Sequence, residues 1–290
     1  MKRVRKAVLP VAGLGTRVLP ATKSIPKEML PVFDRPAIQY VVDEALAAGI
    51  EHIVFVTGRN KGAIEDYFDR AYELETTLQG KGKQDALDLL AASLPAPGSM
   101  SFVRQQAPLG LGHAIWCARD VIGEEPFAIL LPDVLVKAEP SCLAQMSAVH
   151  AQSGGNVIAV EQVPHEAVSK FGVIDPKSRD GARIEMQGMV EKPAPEVAPS
   201  NLAITGRYIL QPEIFKYLAD QGAGAGGEIQ LTDAMARLME DQVFNAVEYA
   251  GKSYDCGDKL GYLRAIMAFA MADGELGEQA RAVAQATLKE

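Results

Sequence analysis

The 290-residue sequence predicts an α/β fold: a Rossmann-like, mixed but mostly parallel sheet flanked by helices, followed by a smaller β region and C-terminal helices. Three observations predict it. Short apolar runs alternate with stretches of helical periodicity through most of the chain, which is the pattern of a sheet covered by helices on both faces. The first apolar run ends in a glycine turn, Gly13-Leu14-Gly15. A later run, Phe127–Leu131, stops at Pro132-Asp133 and so leaves a carboxylate just past a strand's C-terminal end, the edge at which open α/β sheets bind ligands.

The elements follow in order. Val4–Val11 reads as a buried strand. Asp34 is expected to cap a helix with Pro36 in its first turn, because Ile38, Val41, Val42, Ala45 and Leu46 recur at helical spacing until Gly49 stops them. His52–Thr57 is the second strand. Residues from about Ala63 to Leu94 form a helical excursion divided at Gly80-Lys81-Gly82 and ended by Pro95–Gly98. Ser101–Arg104 begins a third strand, Gly110–Val121 is a helix, and Phe127–Leu131 the next strand. A helix around Leu143–Ala151, a strand at Val157–Gln162 and strands near Val173 and at Met186–Val190 come next. Pro193–Pro199 is a proline-spaced loop, Ile204–Leu210 a strand and Glu228–Asp241 a helix. Lys259–Asp273 is helical, with Asp258 as its cap, and the alanine-rich Glu278–Glu290 forms a terminal helix suited to packing on another subunit.

Composition narrows the function classes. A formal net charge of −8 argues against broad nucleic-acid binding, which needs a basic surface. No apolar run reaches the ~18 residues of a membrane span, and the basic start leads into a strand with no small-residue cleavage site behind it. A cytoplasmic protein is expected, without membrane or nucleic-acid partners. Cys117, Cys142 and Cys256 have no metal-type spacing and read as reduced thiols in or near the core.

The chemistry is concentrated in Leu9-Pro-Val-Ala-Gly-Leu-Gly-Thr-Arg17 and Ile25-Pro-Lys-Glu-Met-Leu-Pro31. Gly13 and Gly15 open backbone N–H groups to phosphate oxygens, and Arg17 and Lys27 add positive charge, a grouping suited to a nucleoside triphosphate. A dinucleotide fingerprint fails because the third glycine is missing, and a Walker A loop fails because no Gly-Lys-Ser/Thr follows. On residues alone, a structural turn carrying two solvated basic residues remains the alternative. Asp255 in Tyr254-Asp-Cys-Gly-Asp258 reads either as a ligand or as a turn aspartate, and Glu191-Lys192-Pro193 either as a binding pair or as surface.

Gly-x-Gly-Thr-Arg followed by Pro-Lys and a hydrophobic-Leu-Pro resembles the opening signature of the sugar-phosphate nucleotidyltransferases, and the resemblance runs along nearly the whole chain. Glu228–Asp233 and Pro199–Ile204 resemble blocks of the uridylyltransferase branch. The resemblance implies UTP and glucose 1-phosphate as substrates, UDP-glucose and pyrophosphate as products, Mg²⁺ as cofactor, direct in-line attack, and a homodimer or homotetramer. It implies catalytic roles for Arg17, Lys27 and Lys192, and nucleotide contacts from Ala12, Gly13, Gly15, Glu28, Gln105 and Gly110. Sugar-phosphate contacts fall to Gly172, Glu191, Lys192, Thr205 and Tyr208, and the metal to Asp133 and Asp255. His113 is assigned a structural role, since the chemistry requires no general base. Phe171 departs from the tyrosine that many relatives carry before the glycine. One domain over 1–290 is expected, with a nucleotide-binding half (1–135), a sugar-phosphate half containing the smaller, sugar-facing β region (136–258) and C-terminal helices (259–290). Two alternatives share these anchors: a thymidylyltransferase and a non-catalytic regulatory relative that binds UDP-glucose.

Overall fold

In the computed structural model, which describes residues 2–222, 224 and 227–289, the apolar runs become strands whose neighbouring side chains face opposite cores. The N-terminal strands are β1 (Lys6–Pro10), a short hairpin of β2 (Pro31–Val32) and β3 (Arg35–Pro36), β4 (His52–Thr57), β5 (Met100–Arg104), β6 (Phe127–Leu130) and β7 (Val134–Lys137). They are followed by β8 (Asn156–Gln162), β9 (Gly172–Asp180), β10 (Arg183–Glu191), β11 (Leu202–Leu210), β12 (Phe244–Glu248) and β13 (Lys252–Asp255). Leu9, Phe55 and Leu130 pack into one core while Val8, Val54 and Ile129 pack into the other, as the two-residue period of a strand dictates. Both faces are therefore buried, which is why these strands read as continuous apolar runs rather than alternating ones.

Nine strands form one sheet in the order β5-β4-β1-β6-β11-β8-β12-β10-β9. The first four pair in parallel. β11 then runs antiparallel to both β6 and β8, β12 is parallel to β8, and β10 is antiparallel to β12 and β9. The helices are α1 (Ala37–Ala47), α2 (Gly62–Tyr67), α3 (Tyr72–Gly80), α4 (Gln84–Ser93), α5 (Leu111–Cys117) and α6 (Arg119–Ile122). Then come α7 (Cys142–Ser153), α8 (Ile214–Ala219), α9 (Leu231–Leu238), α10 (Lys259–Ala270) and α11 (Gly277–Thr287). Residues of α1 and α7 lie in the core of Leu9; residues of α5, α8 and α9 lie in that of Val8. No helix among the described residues is long and apolar enough to cross a membrane. Cys142 and Cys256 are buried, Cys117 is half-buried, and all three are free thiols.

Three local expectations are corrected. Asp34 does not cap α1: its carboxylate accepts from Arg35 and Tyr40, and Pro36 holds the N-cap position because the chain first closes the β2–β3 hairpin through Phe33 at φ 64°. The helix expected from Gly110 to Val121 breaks after Cys117 into α5 and α6. The helix expected from Glu228 starts only at Leu231, because the Ile229 N–H donates to Leu109 O at 2.7 Å and Ile229 O accepts from Gly112 N at 2.8 Å. Those backbone groups, engaged by a loop, are withdrawn from any helix. Strands β7, β12 and β13 and helix α8 were not anticipated. The C-terminal helices form as expected, with Asp258 accepting from Leu260 N and Gly261 N at the start of α10; Glu290 lies outside the described residues.

Candidate active site

The glycine turn after β1 folds against the lysine it serves. Gly15 sits at φ 66°, and a Cβ there would stand 3.3 Å from both Lys27 Cβ and Thr22 Cγ2. Thr22 Oγ1 closes the turn by donating to Gly15 O at 2.7 Å. Ala12 packs on Gly58, whose own Cβ would meet Ala12 O at 3.1 Å. Gly13 borders a separate cavity of about 300 Å³ with Lys23, Arg59 and Lys61.

Lys27 Nζ reaches Asp133 Oδ2 at 2.5 Å, both side chains being largely buried. Burial works against the Lys27 charge, but Asp133 and Glu28 outweigh it and hold its pKa above the ordinary value. Burial likewise opposes ionisation of Asp133, and the Lys27 ammonium overcomes it, keeping that carboxyl below the usual range. Glu28 is fully buried, accepts from Lys61 Nζ at 2.8 Å and leaves Oε1 without a partner among the described residues. Burial pushes its pKa up.

Strand pairing that the sequence did not suggest delivers the second carboxylate. β13 runs antiparallel to β7 with Asp255 opposite Val134, and Cys256 N donates to Asp133 O at 2.7 Å. Asp255 Oδ1, Arg17 Nη2 and Asp133 Oδ2 all lie within 3.3 Å of the point where a Cβ on Gly257 would stand. Glycine at 257 leaves that point clear. Asp255 accepts from Gly257 N at 2.7 Å and has no ion-pair partner among the described residues. Burial, and then the nearby Asp133 charge, push its pKa up. Two converging carboxylates, one lacking a counter-charge, fit a hard divalent cation that keeps its remaining positions for water and phosphate oxygens.

Arg17, Asp133 and Asp255 line a cavity of about 320 Å³ whose walls also include Gly172, Glu191, Lys192, Thr205 and Tyr208, while Ala12, Gly13, Gly15, Lys27 and Glu28 lie outside its lining. Glu191 ends β10; its Oε2 accepts from Thr232 Oγ1 at 2.7 Å, and its Oε1 lies 3.4 Å from Lys192 Nζ. Gly172 makes room for that carboxylate, since a Cβ there would stand 3.2 Å from Glu191 Oε2. Lys192 takes φ 48° while its N–H donates to Phe171 O, which turns the chain sharply out of β10. Thr205 spends its hydroxyl proton on Ala159 O at 3.2 Å, and Tyr208 is almost fully buried in β11.

Gln105 and Gly110 do not border this cavity. Gln105 follows β5, its N–H donating to Thr57 O and its Nε2 bonded to Gly110 O and His113 Nδ1. Gly110, at φ 110°, is pressed against Glu228 and Ile229, where a Cβ would meet three atoms at 2.8 Å. The absence of a side chain there lets the Glu228-Ile229 segment approach closely.

Several site residues escaped sequence reasoning. Thr232 lies inside a block already singled out, and Lys170 immediately precedes Phe171-Gly172, yet nothing in either neighbourhood signals the wall of a cavity. Arg207 is fully buried in β11, ion-paired to Glu44 of α1 at 2.8 Å, and donates to Leu131 O and Val134 O on either side of Asp133. A guanidinium thus clamps the loop that presents the carboxylate.

A family model described as nucleotidyl transferase matches residues 6–271. The chain belongs to that family. This nucleotidyl transferase is 52% identical over 281 residues to the UTP–glucose-1-phosphate uridylyltransferase of Bacillus subtilis (strain 168), covering 96% of this chain and 95% of the relative. A UTP-bound UGPase from Acinetobacter baumannii matches it with TM-score 0.91 at 47% identity, covering 97% and 99% of the two chains. A UDP-glucose pyrophosphorylase complexed with UDP-glucose matches with TM-score 0.82 at 44% identity, covering 92% and 98%. A putative glucose-1-phosphate thymidylyltransferase from Bacillus anthracis, at 22% identity and TM-score 0.70, shares the fold.

Proposed function

We propose that this nucleotidyl transferase moves UMP from UTP to glucose 1-phosphate, forming UDP-glucose and pyrophosphate. The observation that carries the reading is one cavity lined both by Arg17, Asp133 and Asp255 and by Glu191 and Lys192, in a chain about half identical to named uridylyltransferases along nearly its whole length. An oxygen of the sugar phosphate attacks the α-phosphorus of UTP in line, and the bond to pyrophosphate breaks. The attacking oxygen is already ionised, so no general base is needed and catalysis rests on positioning and electrostatics.

Charge repulsion is the main obstacle. Two unit charges about 4 Å apart repel by about 4 kcal/mol at an effective dielectric of 20, and each substrate carries several. Arg17 and Lys27 face the triphosphate, and Lys192 the sugar phosphate. Asp133 and Asp255 are the residues that would hold Mg²⁺, which when bound neutralises charge on phosphate oxygens. Ala12, Gly13, Gly15, Glu28, Gln105 and Gly110 serve the nucleotide; Glu191, steadied by Thr232, accepts from sugar hydroxyls beside Gly172, Thr205 and Tyr208.

In this reading residues 1–135 are the nucleotide half, 136–258 the sugar-phosphate half and 259–290 the C-terminal helices. The enzyme works in the cytoplasm as a homodimer or homotetramer. The test is product formation from glucose 1-phosphate with UTP or dTTP, with and without EDTA. Metal-dependent UDP-glucose formation faster than dTDP-glucose formation supports the reading. A preference for dTTP moves the chain to thymidylyl transfer, and no product with either triphosphate overturns the reading.

A further inference from the structure

Gln105 donates through one nitrogen to two acceptors: Gly110 O at 3.1 Å and His113 Nδ1 at 3.0 Å. The orientation of this amide follows from chemistry rather than from placement of look-alike atoms, because a carbonyl oxygen only accepts and so must face the NH₂ end. Gly110 O is itself fixed, since it also accepts from Ala114 N at 3.1 Å in the first turn of α5. With Gly110 taking one amide hydrogen, His113 Nδ1 must take the other as an unprotonated acceptor. The imidazole hydrogen then resides on Nε2. An imidazolium would instead set N–H against N–H.

Both amide hydrogens are thereby consumed, and the oxygen is turned away from them. Among the described residues, Gln105 Oε1 accepts no hydrogen bond. The backbone of Gln105 is pinned as well, its N–H bonded to Thr57 O at 2.8 Å at the C-terminal end of β4. The His113 ring is held in turn, stacked on Trp116 with centroids 6.0 Å apart, while the Arg119 guanidinium covers Trp116 at 3.6 Å.

We infer that His113 is a specificity-positioning residue, whose Nδ1 locks the Gln105 amide so that it offers the nucleobase an acceptor and no donor. The inference rests on the reading that Gln105 meets the base. An amide locked this way accepts from the imide N3–H of uracil and opposes cytosine, whose N3 is itself an acceptor. Released from His113, the amide more readily turns its NH₂ outward and discrimination falls. Burial pushes the His113 pKa down, which favours the unprotonated ring.

Three variants test this through KM and kcat for UTP, CTP and glucose 1-phosphate. His113→Phe keeps a ring against Trp116 but removes the acceptor; His113→Asn loses the ring but restores an acceptor oxygen near the Nδ1 position. The inference predicts that His113→Phe raises KM for UTP and lowers the UTP-over-CTP preference, each about tenfold, with KM for glucose 1-phosphate unchanged, and that His113→Asn recovers most of both. Wild-type behaviour in His113→Phe together with a loss in His113→Asn makes His113 a packing residue and overturns the inference. If His113→Phe does not fold, His113→Ala takes its place, with the same loss expected. Gln105→Leu separates the two levels. If it leaves KM for UTP and the UTP-over-CTP preference intact, the base-contact reading itself is wrong; if it impairs both while His113→Phe does not, only the role of His113 is refuted.

Discussion

Asp255 is a carboxylate held at a cost. Burial and the neighbouring Asp133 push its pKa up, and no described cation pairs with it. Removing its charge should therefore relieve the folded protein while damaging the reaction. Asp255→Asn is expected to lower kcat by about 100-fold or more with a melting temperature equal to or above wild type; an unimpaired kcat would remove Asp255 from the proposed metal site. Thr232 acts on the cavity through Glu191. Thr232→Val keeps the side-chain shape but takes the donor from Glu191 Oε2, so KM for glucose 1-phosphate should rise about tenfold with little change in KM for UTP. Equal shifts in both constants would point to a general loosening of the cavity instead.

At the scale of elements, a buried ion pair connects the core to the chemistry. Arg207 and Glu44 are 163 residues apart, yet their side chains are 0% and 6% exposed and Arg207 donates to the carbonyls flanking Asp133. Arg207→Met leaves the Glu44 carboxylate buried without its cation and should cost about 3–5 kcal/mol in denaturant unfolding. Adding Glu44→Leu should recover much of that stability but not the activity, because Leu131 O and Val134 O remain without their donor. Full activity in the double variant would show that the clamp is only structural. The same elements show what could be read in advance. β1, β4 and β6 announce themselves by apolar runs, and Asp258 by its place before a helix, since both signals are local. The β7–β13 pair joins short strands far apart in the sequence, Lys252 opposite Lys137 and Asp255 opposite Val134, and nothing local marks either. Asp133 and Asp255 were nameable from their motifs, but that they share one site comes from this pairing. Gly110 was legible as a glycine needed for close approach, and a Cβ there would meet Glu228 and Ile229, a contact nothing local in the sequence marks.

Across the whole molecule, one nine-stranded sheet underlies residues of both groups, while Asp255 is supplied by the separate β7–β13 pair. Lys27 and the glycine turn follow β1, Asp133 follows β6, and Glu191 ends β10 toward the far side of the sheet. A continuous sheet holds the proposed nucleotide and sugar-phosphate positions in a fixed relation, which is what direct transfer between two bound anions requires. UTP should accordingly stabilise the fold by mass action, by about 2.7 kcal/mol at a hundredfold excess over its Kd, read as a rise in melting temperature with nucleotide concentration; no rise at any concentration would mean that the folded state does not bind UTP. The most direct test of direct transfer is the exchange of labelled pyrophosphate into UTP, measured with and without glucose 1-phosphate in the presence of Mg²⁺. Transfer from one bound substrate to the other predicts exchange only when glucose 1-phosphate is present. Exchange in its absence would reveal a uridylylated protein intermediate and contradict the account.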